Sequence, residues 1–265
     1  MLVFSSALSW PLLNQECLDP RIPYLSGHEV LFCDDQGLPT QIFNLESGAI
    51  DRFQHSVLWF SSKEVWVKGI DGGLKSRITQ PSETPRHRMV FDPEGGPVFF
   101  EDASLAVNGS ELVWKKGQVG QKTTGANAKS WQHPVLNSCG AFWIDRQEQI
   151  VWWKHDGSVE RSSPKDYPRS LVGDGQWLAW AEDDRVWLKS CEDGEERSWV
   201  DRAIDRVTLD QGVLCWSFWN GEDADIRCSD GFVLQLEGDQ TWPSLGDKWL
   251  IFRDQQGVRG VELPQ

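Results

Sequence analysis

Gly175–Trp187 reads GQWLAWAEDDRVW, and the Asp193-Gly194 pair follows it closely. Leu178-Ala179-Trp180 and Val186-Trp187-Leu188-Lys189 are short runs with apolar residues on both faces, separated by the acidic Glu182-Asp183-Asp184. Segments this short and this apolar suit strands covered on both sides. The stretch therefore reads as two strands joined by an acidic hairpin with a solvated tip, then a tight turn at the glycine.

The same order of features recurs along the chain. Apolar cores occur at Val30-Leu31-Phe32, Leu58-Trp59-Phe60, Val98-Phe99-Phe100, Phe142-Trp143-Ile144, Leu178-Ala179-Trp180, Leu214-Cys215-Trp216 and Leu250-Ile251-Phe252. Their starts step by 28, 40, 44, 36, 36 and 36 residues, and three equal steps mark an internal repeat. A second apolar run follows each core, clearest at Val65–Lys68, Leu112–Lys115, Val151–Lys154 and Val186–Lys189. Then comes a turn glycine: Gly48, Gly72, Gly117, Gly157, Gly194 or Gly231. Four of these follow Asp, the pair that two-residue hairpin loops favour because such loops need positive φ. A polar outer strand follows, as in Ser158–Arg161. Short segments before the cores, often with Pro (Pro23, Pro85, Pro134, Pro168, Pro243), read as innermost strands.

Four strands per unit and seven units predict an all-β, seven-bladed β-propeller spanning 1–265 as a single domain. Leu2-Val3-Phe4 is expected to supply the outer strand of the last blade and close the ring. Only ten residues separate Gly48 from Leu58, so one strand is missing near the first two blades, and a six-bladed ring is the alternative.

Charge and composition narrow the partners. With 26 basic and 40 acidic residues the net charge is −14, which opposes binding to nucleic acid or to an anionic membrane surface. Sixteen Trp favour strands and large packing areas. The six Cys form no CxxC or zinc-ligand spacing, so unpaired cysteines in a reducing, cytoplasmic setting are expected, with Cys33 and Cys215 as small core hydrophobes. The apolar N-terminus lacks the positive start of a signal peptide and reads as a strand.

Phe91-Asp92-Pro93-Glu94-Gly95 after Pro85-Arg86, Pro168-Arg169 before Gly173-Asp174-Gly175, and Leu209-Asp210-Gln211-Gly212 carry a family resemblance. They are similar to the repeat of TolB-like propellers, also found in the N-terminal propeller of prolyl-oligopeptidase-type peptidases. That resemblance implies a propeller. The peptidase activity would need a Gly-x-Ser-x-Gly elbow, which does not occur here.

Charged and aromatic residues of the inner segments form the candidate ligand site: Arg21, Tyr24, Arg86, His87, His133, Tyr167, Arg169, Asp205, Arg206 and Trp242. Arg and aromatic groups at a channel mouth suit an acidic peptide terminus or a planar ligand. The competing reading is that they satisfy one another across the channel. No catalytic residue, metal ligand or cofactor motif is identified. The Asp-Gly pairs lack the remaining ligands of a calcium loop, and Trp-x-Lys repeats read as packing with the Lys reaching water. The expectation is a monomeric, non-enzymatic scaffold for a protein or peptide. Alternatives are a channel-sited enzyme or small-molecule binder, lactonase- or cyclase-like, and a Trp-using glycan-binding lectin.

Overall fold

A strand that is apolar on both faces must be covered twice, and stacked sheets meet that demand. The computed structural model describes residues 24–26, 28–33, 39–52, 57–60, 64–68, 74–78, 98–100, 103–108, 111–116, 119–123, 132–145, 147–162, 164 and 166–263. Among them are seven antiparallel sheets and no helix. The first contains β1 (Tyr24–Ser26), β2 (Glu29–Cys33), β3 (Pro39–Asn44) and β4 (Ile50–Arg52). The second contains β5 (Val57–Phe60), β6 (Glu64–Lys68) and β7 (Leu74–Ile78). The third contains β8 (Val98–Phe100), β9 (Ala103–Asn108), β10 (Glu111–Lys116) and β11 (Val119–Thr123). β12 (Gln132–Asn137), β13 (Gly140–Ile144), β14 (Ile150–Lys154) and β15 (Val159–Ser162) form the fourth. β16 (Arg169–Asp174), β17 (Trp177–Ala181), β18 (Arg185–Ser190) and β19 (Glu196–Val200) form the fifth. The sixth has β20 (Ala203–Asp210), β21 (Val213–Trp219), β22 (Ala224–Cys228) and β23 (Val233–Leu234). The seventh has β24 (Thr241–Gly246), β25 (Trp249–Asp254) and β26 (Gly257–Glu262). Each sheet runs in simple sequence order, every strand pairing with the next.

The second strands β17, β21 and β25 each feed two cores. Leu178 and Trp180 of β17 pack with Val135, Phe142 and Ile150 of the fourth sheet. Ala179 and Ala181, on the opposite face, pack with Leu214, Trp216 and Phe218 of β21. Cys215 turns the other way, to Leu250 and Phe252 of β25. Trp249 and Ile251 then meet Leu25, Val30 and Phe43 of the first sheet, so the last sheet packs on the first. Alternation of side chains along a strand produces this relay.

First strands lie side by side and are pinned by hydroxyls. The Val207 N–H donates to Ser170 Oγ (2.7 Å), the Leu245 N–H to Thr208 Oγ1 (3.0 Å) and the Leu25 N–H to Ser244 Oγ (3.1 Å). β12, β16, β20 and β24 each carry a register shift near their start. Pro134 and Pro243 fall within these shifts, where a missing N–H costs no ladder bond. Ser170 and Trp242 adopt φ of 55° and 54° there.

Several expectations change. Val98–Phe100 is the first strand of its sheet, and the core role passes to β9, whose Leu105 pairs with Val98 as Phe142 pairs with Val135. Leu105 lies 37 residues before Phe142, which restores the period that the steps of 40 and 44 had broken. The shortage near Gly48 is resolved too: β4 completes the first sheet, and the second has three strands among the described residues.

The three described Asp-Gly pairs close longer loops than the two-residue kind, as Asp156-Gly157 and Asp230-Gly231 show. The Gly157 N–H bonds Lys154 O and the Lys154 N–H bonds Ser158 O; Cys228, Gly231 and Phe232 repeat the arrangement. The loop thus has three residues, with the glycine at positive φ (86° and 97°) as its last member.

The cysteines are corrected as well. Cys139 is bonded to Cys191 and Cys215 to Cys228. The first joins turns of the fourth and fifth sheets; the second joins opposed residues of β21 and β22. Separations of 52 and 13 residues hide both pairs from any spacing rule, because only sheet register brings the sulfurs together. The premise of unpaired cysteines therefore fails for these four. The closing strand proposed at Leu2–Phe4 lies outside the described residues.

Trp216→Ala should cost about 3–5 kcal/mol in denaturant unfolding, because this side chain is fully buried between two sheets. Val159→Ala, on an exposed outer strand, should change stability by no more than about 0.5 kcal/mol. Replacing Cys139 and Cys191 together by Ser should lower stability by roughly 4 kcal/mol on the loop-entropy estimate, read by the same unfolding experiment.

Candidate functional site

The starts of the first strands share one end of the sheets with the links between second and third strands. Here the structure places five of the ten candidate residues together: Tyr167, Arg169, Asp205, Arg206 and Trp242. Tyr24 lies in β1 and His133 in β12, where only their place in the strand is described. Arg21, Arg86 and His87 lie outside the described residues.

Arg169 is held by backbone. Its Nη2 donates to Ala203 O (3.1 Å) and Glu182 O (3.4 Å), and Nη1 lies 3.8 Å from Asp183 Oδ1. It thereby ties the fifth sheet to the start of β20. Glu182, read as part of a solvated tip, is instead buried at 2 % exposure, and its Oε1 accepts the Trp180 indole N–H (3.0 Å). Asp183 and Asp184 remain exposed. A buried indole needs an acceptor, and the first residue beyond the strand supplies it.

Asp205 joins three elements. Its Oδ1 accepts from Ser217 Oγ (2.5 Å) and its Oδ2 from the Trp242 backbone N–H (2.6 Å). Burial pushes the Asp205 carboxyl above the ordinary carboxylate range, against the pull of these two bonds and of Arg206. Arg206 Nε donates to Pro243 O (3.3 Å), and its guanidinium lies 5.9 Å from the Trp242 ring centroid. Trp242, whose N–H meets Asp205, has a positive φ, a backbone shape that periodicity alone does not foretell. These contacts link the fifth, sixth and seventh sheets.

Around these polar contacts lie apolar side chains open to solvent. Val200 is 73 % exposed, Trp219 58 %, Ile204 43 % and Tyr167 40 %. All four sit in or beside the links at this end, in the fifth and sixth sheets. Sequence reasoning passed over Ile204 and Trp219 because each lies at the end of an otherwise largely buried strand, and Val200 because it ends an exposed outer strand. The signal that marks them is adjacency to charged links, as in Trp219 before Asn220-Gly221-Glu222-Asp223.

The opposite end holds a cleft of about 580 Å³ where the sixth, seventh and first sheets meet. His28, Asp210, Asp230, Asp247 and Lys248 line it, with Leu245 and Trp249 as apolar wall. Lys248 Nζ is engaged by Glu262 at 3.1 Å. Among the described residues no group of three or more His, Cys, Asp or Glu is arranged to hold a metal ion.

No protein-family model and no curated protein sequence matches the chain. Similarity to solved structures is extensive but distant in sequence. The propeller domain of the Trilobed protease from Pyrococcus furiosus, described as having an open velcro topology, superposes with a TM-score of 0.55 at 11 % identity. That match covers 92 % of this chain and 94 % of that one. A chain of the mitotic checkpoint complex gives a TM-score of 0.52 at 7 % identity, covering 100 % and 99 %. With the stacked antiparallel sheets, these matches establish the fold as a β-propeller.

The raised Asp205 carboxyl makes stability depend on pH with a defined sign. The unfolded chain loses this proton first, so the group favours the folded protein below the ordinary carboxylate range. That contribution fades as pH rises through the higher folded value. Asp205→Asn keeps an acceptor for the Trp242 N–H and cannot ionise. Its stability relative to the parent should therefore rise as pH climbs through and above the ordinary carboxylate range, measured as the difference in denaturation midpoint.

Proposed function

We propose that this β-propeller is a seven-bladed, non-enzymatic scaffold that binds a protein or peptide partner through the end carrying Tyr167, Val200, Ile204 and Trp219. One observation carries the reading: Arg169 and Asp205 are engaged in internal contacts, while large apolar side chains around them face solvent. Clustered exposed apolar residues beside polar ones are the usual mark of a docking surface. Rigidity from the internal contacts keeps the surface pre-shaped, which lowers the ordering cost of association.

Three further features support the seven-bladed ring. Seven sheets follow one another, the seventh packs on the first, and the seventh has three strands among the described residues. Leu2-Val3-Phe4 is the proposed fourth strand of that sheet, in contrast to the open arrangement described for the Trilobed protease propeller. A chain of the same fold sits in the mitotic checkpoint complex, an assembly of proteins by its name, which accords with a scaffold role.

A photo-crosslinking residue placed at Ile204 should give a discrete heavier adduct in the native cell. The same residue at Val159, on the outer strand toward the other end, should give none. Equal labelling from both, or none from Ile204, counts against the docking face. Deleting residues 1–6 should lower the melting temperature of the whole domain, and an unchanged melt counts against N-terminal closure.

A further inference from the structure

The chemistry of the partner can be read from what surrounds the apolar seat, taking the docking face above as its basis. Ala203 and Phe218 are paired across β20 and β21, and Ile204 and Trp219 are the next residues after each. Val200 ends β19 three residues before Ala203, and Arg169 joins the Tyr167 segment to the Ala203 carbonyl. The exposed apolar residues are thus grouped about one strand pair.

The links beside them are strongly acidic. Asp183 and Asp184 follow Glu182 in the fifth sheet; Glu222 and Asp223 follow Trp219; Glu237 and Asp239 lie between the sixth and seventh sheets. Asp223 and Asp239 accept the Gly238 and Ala224 N–H groups at 3.1 Å and 2.9 Å, so part of their charge is engaged. Asp183, Asp184, Glu222 and Glu237 are exposed. Of the basic residues described nearby, Arg169 and Arg206 donate to backbone carbonyls and Arg185 to Ser198 Oγ (3.2 Å), while Arg202 is exposed.

We propose that this end binds a lysine- or arginine-bearing segment of another protein, with one large apolar side chain seated on Ile204 and Trp219. The cations of that segment face the exposed carboxylates. Electrostatic complementarity of this kind speeds encounter and rejects acidic competitors. A second copy of the chain is disfavoured as occupant, because it would bring the same carboxylates and a net charge of −14 to the contact. The inference reverses the preference for acidic ligands that Arg169 and Arg206 suggest in sequence, since both guanidinium groups donate to backbone carbonyls.

Fluorescence anisotropy of the full chain with three labelled synthetic peptides tests this: alternating Lys/Leu, Glu/Leu and Lys/Ser. Lys/Leu should bind at least tenfold more tightly than either other peptide, and several-fold less tightly at high salt. Trp219→Ala should weaken Lys/Leu binding about tenfold or more. Joint Asp184→Lys and Glu222→Lys should shift preference toward Glu/Leu without altering the melt. Ile204→Asp serves as the second seat variant if Trp219→Ala fails to fold. Equal binding of Lys/Leu and Glu/Leu that still depends on Trp219 overturns the basic partner and leaves the docking face standing. Binding of no peptide, or binding indifferent to Trp219 and Ile204, overturns both. Trp219-dependent dimerisation in sedimentation identifies a second copy as occupant and also overturns the basic partner.

Discussion

The described core depends on covering both faces of the second strands, as β17, β21 and β25 show. Leu178 and Trp180 look one way, Ala179 and Ala181 the other, and neither set is buried by its own sheet. A sheet built on such a strand is stable only between two others. Each added sheet passes the same demand onward until the seventh sheet meets the first through Trp249, Ile251, Leu25 and Val30. Stability is therefore shared around the stack rather than held in one centre, as in other arrays of repeats.

Size complementarity makes this relay possible. Ile144, Trp180, Trp216 and Phe252 occupy one repeating place, each nearly or fully buried. Trp216 projects from the sixth sheet onto small residues of the fifth, Ala179 and Ala181. Hydroxyl groups then set the register between first strands, Ser170 to Val207 and Thr208 to Leu245. The inner contacts are polar and directional, whereas the contacts between second strands are apolar and adaptable. A disc held in both ways presents its ends as fixed surfaces, and the two ends differ. One carries exposed Trp219 and Ile204 among carboxylates; the other carries the cleft near Asp210 and Asp247.

Much of the fold was legible because its signals are local. Positions 36 residues apart repeat the same kind of apolar triplet, and a turn glycine 14 to 19 residues after the core start marks the first six units. The third unit misled because Val98-Phe99-Phe100 is as apolar as any core; only pairing shows that it is a first strand and that Leu105 in β9 takes the core place. The candidate site was half legible. Arg169, Asp205, Arg206 and Trp242 do converge, yet their use in binding one another depends on bulges and on a positive φ at Trp242. Glu182 looked like one acid among three, but the Trp180 indole draws it inward.

The amino-acid sequence by itself determined the class of fold, the repeat, the place of most strands and the acidity of the surface. Those properties follow from periodicity, turn chemistry and charge, which act over a few residues. Tertiary structure alone decided which cysteines pair, which polar groups are consumed internally and which apolar side chains stay in water. Each of these depends on residues 13 to 52 positions apart meeting across strands and sheets, and no rule of spacing along the chain can supply that geometry.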